Sequence, residues 1–103
     1  MGVDYDANFG IGYEVGESYA ISEEELEEGL YEYLGENVGE DFEYFKTGND
    51  YSGYNITYYL TIKDPFKDGL DLTPKKEELD KEIKRLKLET LSSFREVGGL
   101  HVW

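Results

Sequence analysis

The sequence predicts one α+β domain: a four-stranded antiparallel sheet with two helices packed on one of its faces. Three observations predict it. Two segments alternate apolar and polar residues with a period of two, as half-buried strands do. Two others repeat apolar residues every three to four positions, as helices with one buried face do. Their order along the chain reads β-α-β-β-α-β, and 103 residues is a common size for one domain.

The first strand is expected over residues 8–15, with Phe9, Ile11, Tyr13 and Val15 inward and Asn8, Gly10, Gly12 and Glu14 outward. Ser22 opens the first helix. Glu25 completes a capping box with it, and Ile21 is placed to staple Leu26. Leu26, Leu30, Tyr33 and Leu34 form the apolar stripe, and Gly35 is the expected stop. A short strand follows around Phe42 to Lys46, then a turn-rich stretch from Thr47 to Gly53. The next strand points Ile56, Tyr58, Leu60 and Ile62 inward and Asn55, Thr57, Tyr59 and Thr61 outward, and Asp64-Pro65 ends it. Thr73 and Pro74 mark the second helix at N-cap and N1, with Leu79, Ile83 and Leu86 on its buried side. A final strand is expected between Phe94 and Trp103, with Gly98 and Gly99 interrupting it. Two helices on one face of such a sheet is the ferredoxin-like arrangement, and the alternation predicts that the other face is wet.

Charge is distributed unevenly along the chain. Up to residue 45 there are fourteen acids and no lysine or arginine; the remainder is balanced, so the net charge of −14 resides in the N-terminal block. Such a field repels nucleic acid and anionic membranes and attracts basic protein surfaces. On a helical wheel Glu24, Glu28, Tyr31 and Glu32 face solvent, flanked by Glu25 and Glu27. Four like-charged pairs one turn apart result, Glu23–Glu27, Glu24–Glu28, Glu28–Glu32 and Glu32–Glu36, costing together about 1–2 kcal/mol at low salt. The second helix alternates signs instead, Glu77 with Lys81 and Asp80 with Lys84. An acidic helix is commonly no more than a solvated face. The contrast between two helices of one chain argues for a role beyond solubility.

Several chemistries are disfavoured. There is no cysteine, and His101 is the only histidine, so thiolate zinc sites, multi-histidine metal sites and histidine-based triads are excluded. Gly10-Ile11-Gly12-Tyr13-Glu14-Val15-Gly16 has GxGxxxG spacing inside a strand, and close backbone approach explains its glycines better than phosphate binding does. Asp64, Asp68 and Asp71 lack the spacing of a calcium loop. Carboxylate pairs such as Glu40–Asp41 and Glu14–Glu17 arise by chance among 24 acids. The chain is therefore expected to be no enzyme and to need no cofactor or metal. Direct nucleic-acid binding is disfavoured by charge and by sparse basic residues on the sheet. The first residues show neither a signal-peptide pattern nor a membrane-length apolar run, so a cytoplasmic protein is expected.

The functional expectation is a small acidic inhibitor that covers a basic nucleic-acid-binding surface of a partner enzyme. In character, not by homology, this is similar to phage proteins directed against restriction and CRISPR systems. Glu24, Glu27, Glu28, Glu32 and Glu36 would supply the charge, Glu40, Asp41 and Glu43 would extend it, and Tyr31 would be an aromatic anchor. Carboxylates a turn apart lie about 6 Å apart along a helix, a loose match to cations that grip phosphates spaced ~3.4 Å. Two alternatives share parts of this physics: an immunity or antitoxin protein neutralising a basic nuclease, and a virion or assembly component that self-associates, for instance as a homodimer.

Overall fold

The computed structural model describes residues 5–27, 29–49, 54–67 and 69–102. The elements are β1 (Tyr5–Glu17), α1 (Leu30–Asn37), β2 (Phe42–Asn49), β3 (Tyr54–Ile62), α2 (Thr73–Arg85), β4 (Leu88–Thr90) and β5 (Arg95–Val102). They form one α+β domain whose sheet has five strands rather than the four expected. No helix among the described residues is long and apolar enough to cross a membrane.

β1 organises the sheet because it is long enough to serve three neighbours. Along one edge it pairs antiparallel with β5, from Tyr5↔Val102 to Gly12↔Arg95, and then with β4, from Val15↔Thr90 to Glu17↔Leu88. Along its other edge Gly12–Val15 pair with β3, which in turn pairs with β2. The end of β2 then meets β5 in a short parallel pairing, Gly48↔His101 and Asn49↔Val102. The strands β1, β3, β2 and β5 thus close a ring.

Closure overturns the expectation of a wet second face. Tyr59 and Thr61, expected outward, are 8% and 1% exposed, and Thr47 and Val97 are buried as well. The Thr47 hydroxyl donates to Tyr59 Oη at 3.3 Å, and the Tyr59 ring stacks on Phe45 at 5.0 Å. The physical reason is curvature, which alternation does not encode. At Gly12 a Cβ would stand 2.2 Å from the Leu60 carbonyl oxygen, so only glycine lets β1 lie this close to β3. Gly98, at φ +142°, occupies backbone that side chains rarely adopt and lets β5 coil around β1. The glycines that seemed to interrupt the last strand are what allow it to wrap.

The main core lies on the other face, where Tyr13 and Val15 of β1 and Leu60 and Ile62 of β3 meet Leu34 of α1 and Leu79 and Ile83 of α2. Leu34, Leu60 and Leu79 are fully buried. Inward alternation of β1 fails at its start, however, where Phe9 is 65% exposed.

The first helix departs most from expectation. The capping box forms: Glu25 N–H donates to Ser22 Oγ at 3.2 Å, and Ser22 N–H donates to Glu25 Oε2 at 3.0 Å. It closes turns rather than a helix. One helical bond follows, Leu26 N–H to the Ser22 carbonyl, then tighter bonds from Glu27 to Glu24 and from Gly29 to Leu26. Gly29, at φ +99°, breaks the path, and α1 begins only at Leu30. A glycine costs about 1 kcal/mol inside a helix, and the like-charged pairs that an unbroken helix would hold add to that cost. Gly35 is not the stop. It sits inside α1, where a Cβ would meet Tyr44 Oη at 2.8 Å, and the helix ends as Val38 turns extended.

The second helix also starts slightly off expectation. Thr73 is its first residue rather than its cap, and Asp71 Oδ1 accepts the Thr73 N–H at 3.0 Å. Asp80 Oδ2 takes Lys76 at 3.0 Å rather than the expected Lys84, and its Oδ1 accepts the Tyr13 hydroxyl at 2.5 Å. Lys87, at φ +60°, turns the chain into β4. That strand is three residues long, too short to show any period.

Candidate functional site

The expected acidic patch is partly assembled. Glu24 and Glu27 of the turns and Glu32 and Glu36 of α1 line one open concavity of about 210 Å³, together with Glu25, Gly29 and Tyr33. Among the described residues no lysine or arginine lines it. Glu24, Glu25, Glu27, Glu32 and Glu36 are all exposed. The break at Gly29 turns an expected straight row of carboxylates into two short arms around a hollow. Of the two expected pairs whose residues are both described, Glu32–Glu36 lies within α1 and Glu23–Glu27 lies in the turns. Glu28 lies outside the described residues.

Glu25, expected both to cap and to flank the acidic face, joins the group. The hydrogen bond from Ser22 N–H is the chief cause that holds its carboxyl below the ordinary range; burial opposes it, and Lys87 assists. Lys87 Nζ lies 3.9 Å from Glu25 Oε1, so this arm is tethered to the start of β4. The Ser18 hydroxyl, donating to the Lys87 carbonyl, ties the end of β1 to the same place.

The remaining expected residues are dispersed. Tyr31 is 36% exposed, but its ring already meets Tyr44 edge-on at 5.2 Å, and Lys46 Nζ sits 4.7 Å from its centroid. It forms a small aromatic and cationic cluster beside the acidic hollow rather than an unoccupied anchor. Glu40 is exposed in the turn between α1 and β2. Asp41 lines a separate concavity of about 190 Å³ with Lys63, Lys67 and Lys75. Glu43 lines a third with Phe9 and Phe45. Asp41 and Glu43 therefore line other concavities than the acids of α1, Asp41 just before β2 and Glu43 within it.

A buried latch holds α1 in place. Glu82 of α2 is 7% exposed; its Oε2 accepts the Gly39 N–H at 2.6 Å, and its Oε1 accepts Arg85 Nε at 2.5 Å. Arg85 in turn donates to the Asn37 carbonyl at 2.6 Å, at the end of α1. The hydrogen bond from Arg85 is the chief cause that lowers the Glu82 carboxyl below its ordinary range; burial opposes it and the Gly39 N–H assists. Tyr33 completes the joint, its hydroxyl donating to the Leu86 carbonyl at 2.7 Å. One turn from Leu79 and beside Ile83, Glu82 reads in the sequence as a surface acid, and no local pattern marks it.

Among the described residues no group of three histidine, aspartate or glutamate side chains converges in a way that could hold a metal ion. What the site can do is present exposed carboxylates to a cationic surface. It is an acidic, solvent-exposed face on an α+β domain. The chain matches no protein-family model, no curated protein and no solved structure, so that face carries the functional argument by itself.

Proposed function

We propose that this protein is a stoichiometric inhibitor that covers a basic nucleic-acid-binding surface of a partner enzyme. The observation that carries the reading is the hollow formed by Glu24, Glu25, Glu27, Glu32 and Glu36, which no lysine or arginine lines among the described residues. It lies within a stretch of chain that holds the whole net charge of −14. Opposed fields of this kind accelerate encounter and select partners. The like-charge repulsion tolerated at Glu32–Glu36 is relieved when cations fill the hollow. The ferredoxin-like reading of the fold is supported by the pairings β2–β3, β3–β1 and β1–β5; β4 and the β2–β5 closure depart from it.

The test is affinity capture from a host lysate at low salt, with wild type and with a Glu24→Gln/Glu27→Gln/Glu32→Gln/Glu36→Gln variant as baits. Basic nucleic-acid-processing proteins are expected on the wild-type bait and not on the variant, whose circular dichroism stays native. Equal capture by both baits, or no basic protein on either, refutes the reading. An immunity protein would present the same surface, and a nuclease toxin among the captured proteins would identify that case. One observation favours self-association: Phe9 and Leu100 are 65% and 51% exposed on paired strands. Light scattering that shows a multimer, with no basic protein captured, would favour it.

A further inference from the structure

A second surface differs in chemistry from the acidic hollow. Beside the end of β1 a groove of about 800 Å³ has an apolar floor of Ile21, Leu26 and Leu88 and a rim of Glu17, Glu23 and Glu89. Tyr19 stands at its lip, wholly exposed. Among the described residues no lysine or arginine lines it. Exposed carboxylates alone speed association but hold a partner weakly; tight contacts need an apolar group removed from water at the centre, with charges around it. This groove has that arrangement, and the acidic hollow does not.

We propose that the groove takes an amphipathic cationic segment of a partner protein. A large apolar side chain of that segment rests on Ile21, Leu26 and Leu88, while flanking lysines or arginines meet Glu17, Glu23 and Glu89. The proposal rests on the cationic-partner reading above and adds where the apolar part of the contact falls. Charge complementarity selects this occupant: an apolar floor whose charged neighbours, Glu17, Glu23 and Glu89, are all carboxylates rejects anionic and favours cationic segments. A second copy of the chain fits poorly. Its basic element is α2, whose apolar side chains Leu79, Ile83 and Leu86 are already buried in its own core.

The test titrates the isotope-labelled protein with two synthetic peptides, a lysine–leucine peptide of helical period and an oligolysine of equal charge. Amide shifts at Tyr19, Ile21, Leu26 and Leu88 are expected with the first peptide, which binds about tenfold tighter than oligolysine. Tyr19→Ala, which removes only exposed atoms, and Glu23→Gln/Glu89→Gln should each weaken that binding severalfold while thermal stability is unchanged. If both peptides bind equally and shift only residues around Glu32 and Glu36, the groove proposal falls and the cationic-partner reading stands. If neither binds, both fall. A concentration-dependent dimer that the peptide dissociates, lost in Tyr19→Ala, overturns the proposal by placing a second copy in the groove.

Discussion

Replacing Glu82 by glutamine tests how the acidic arm of α1 is held against the rest of the fold. The side chain is 7% exposed and accepts two hydrogen bonds, from Gly39 N–H at 2.6 Å and from Arg85 Nε at 2.5 Å. Glutamine keeps the shape but offers one acceptor oxygen, so one donor meets an amide N–H instead. A hydrogen bond to a charged group contributes about 1.5–3 kcal/mol and a neutral one about 1 kcal/mol. One bond is therefore weakened by about 1 kcal/mol and the other is lost. Arg85 is 55% exposed and regains water, which discounts its share. The net expectation is a loss of about 2–3 kcal/mol at neutral pH, with Tm falling by roughly 4–8 °C for each kcal/mol in a domain of this size.

The pH dependence gives the sharper check. Because the folded-state pKa of Glu82 is depressed, its contribution is present above the unfolded-state value and is lost as pH falls through the folded-state value. Urea unfolding of wild type and Glu82→Gln at neutral pH and at stepped acid pH should show a gap. That gap holds down to the ordinary glutamate pKa of about 4.3 and closes below it. A gap under about 0.5 kcal/mol at neutral pH, the range of an ordinary surface change, would refute the latch. So would a gap that persists unchanged in acid, since shape rather than charge would then be responsible.

Two further perturbations test the sheet and the core. Leu34→Ala, at a wholly buried position between α1 and the sheet, should cost about 2–5 kcal/mol in equilibrium unfolding. Gly12→Ala should cost more than the about 1–3 kcal/mol of ordinary overpacking, because its Cβ would meet the Leu60 backbone at 2.2 Å. Gly16→Ala is the control, since there the Cβ meets only a Leu91 methyl group at 3.1 Å. Equal stability of the two glycine variants by thermal unfolding would show that β1 does not depend on that close approach.

Sequence alone determined what depends on neighbours along the chain: the α+β class, the two clear strands, the second helix, the capping box at Ser22 and Glu25, and the concentration of charge before residue 46. Periodicity and local hydrogen bonding are short-range effects, and they are written into consecutive residues. Tertiary structure decided where those elements go. Ring closure buried Tyr59 and Thr61, which alternation had placed in water, because strand curvature depends on how closely two backbones approach. The turn after α1 and then β2 carried Asp41 and Glu43 away from the acids of α1, since chain neighbours on different elements diverge in space. Gly29 gave way within a helical pattern because a helix start is a contest between local capping and the cost of extending through glycine and like charges. Glu82 went inside because its partners, Gly39 and Asn37 through Arg85, are over forty residues away, and nothing beside it in sequence could announce them.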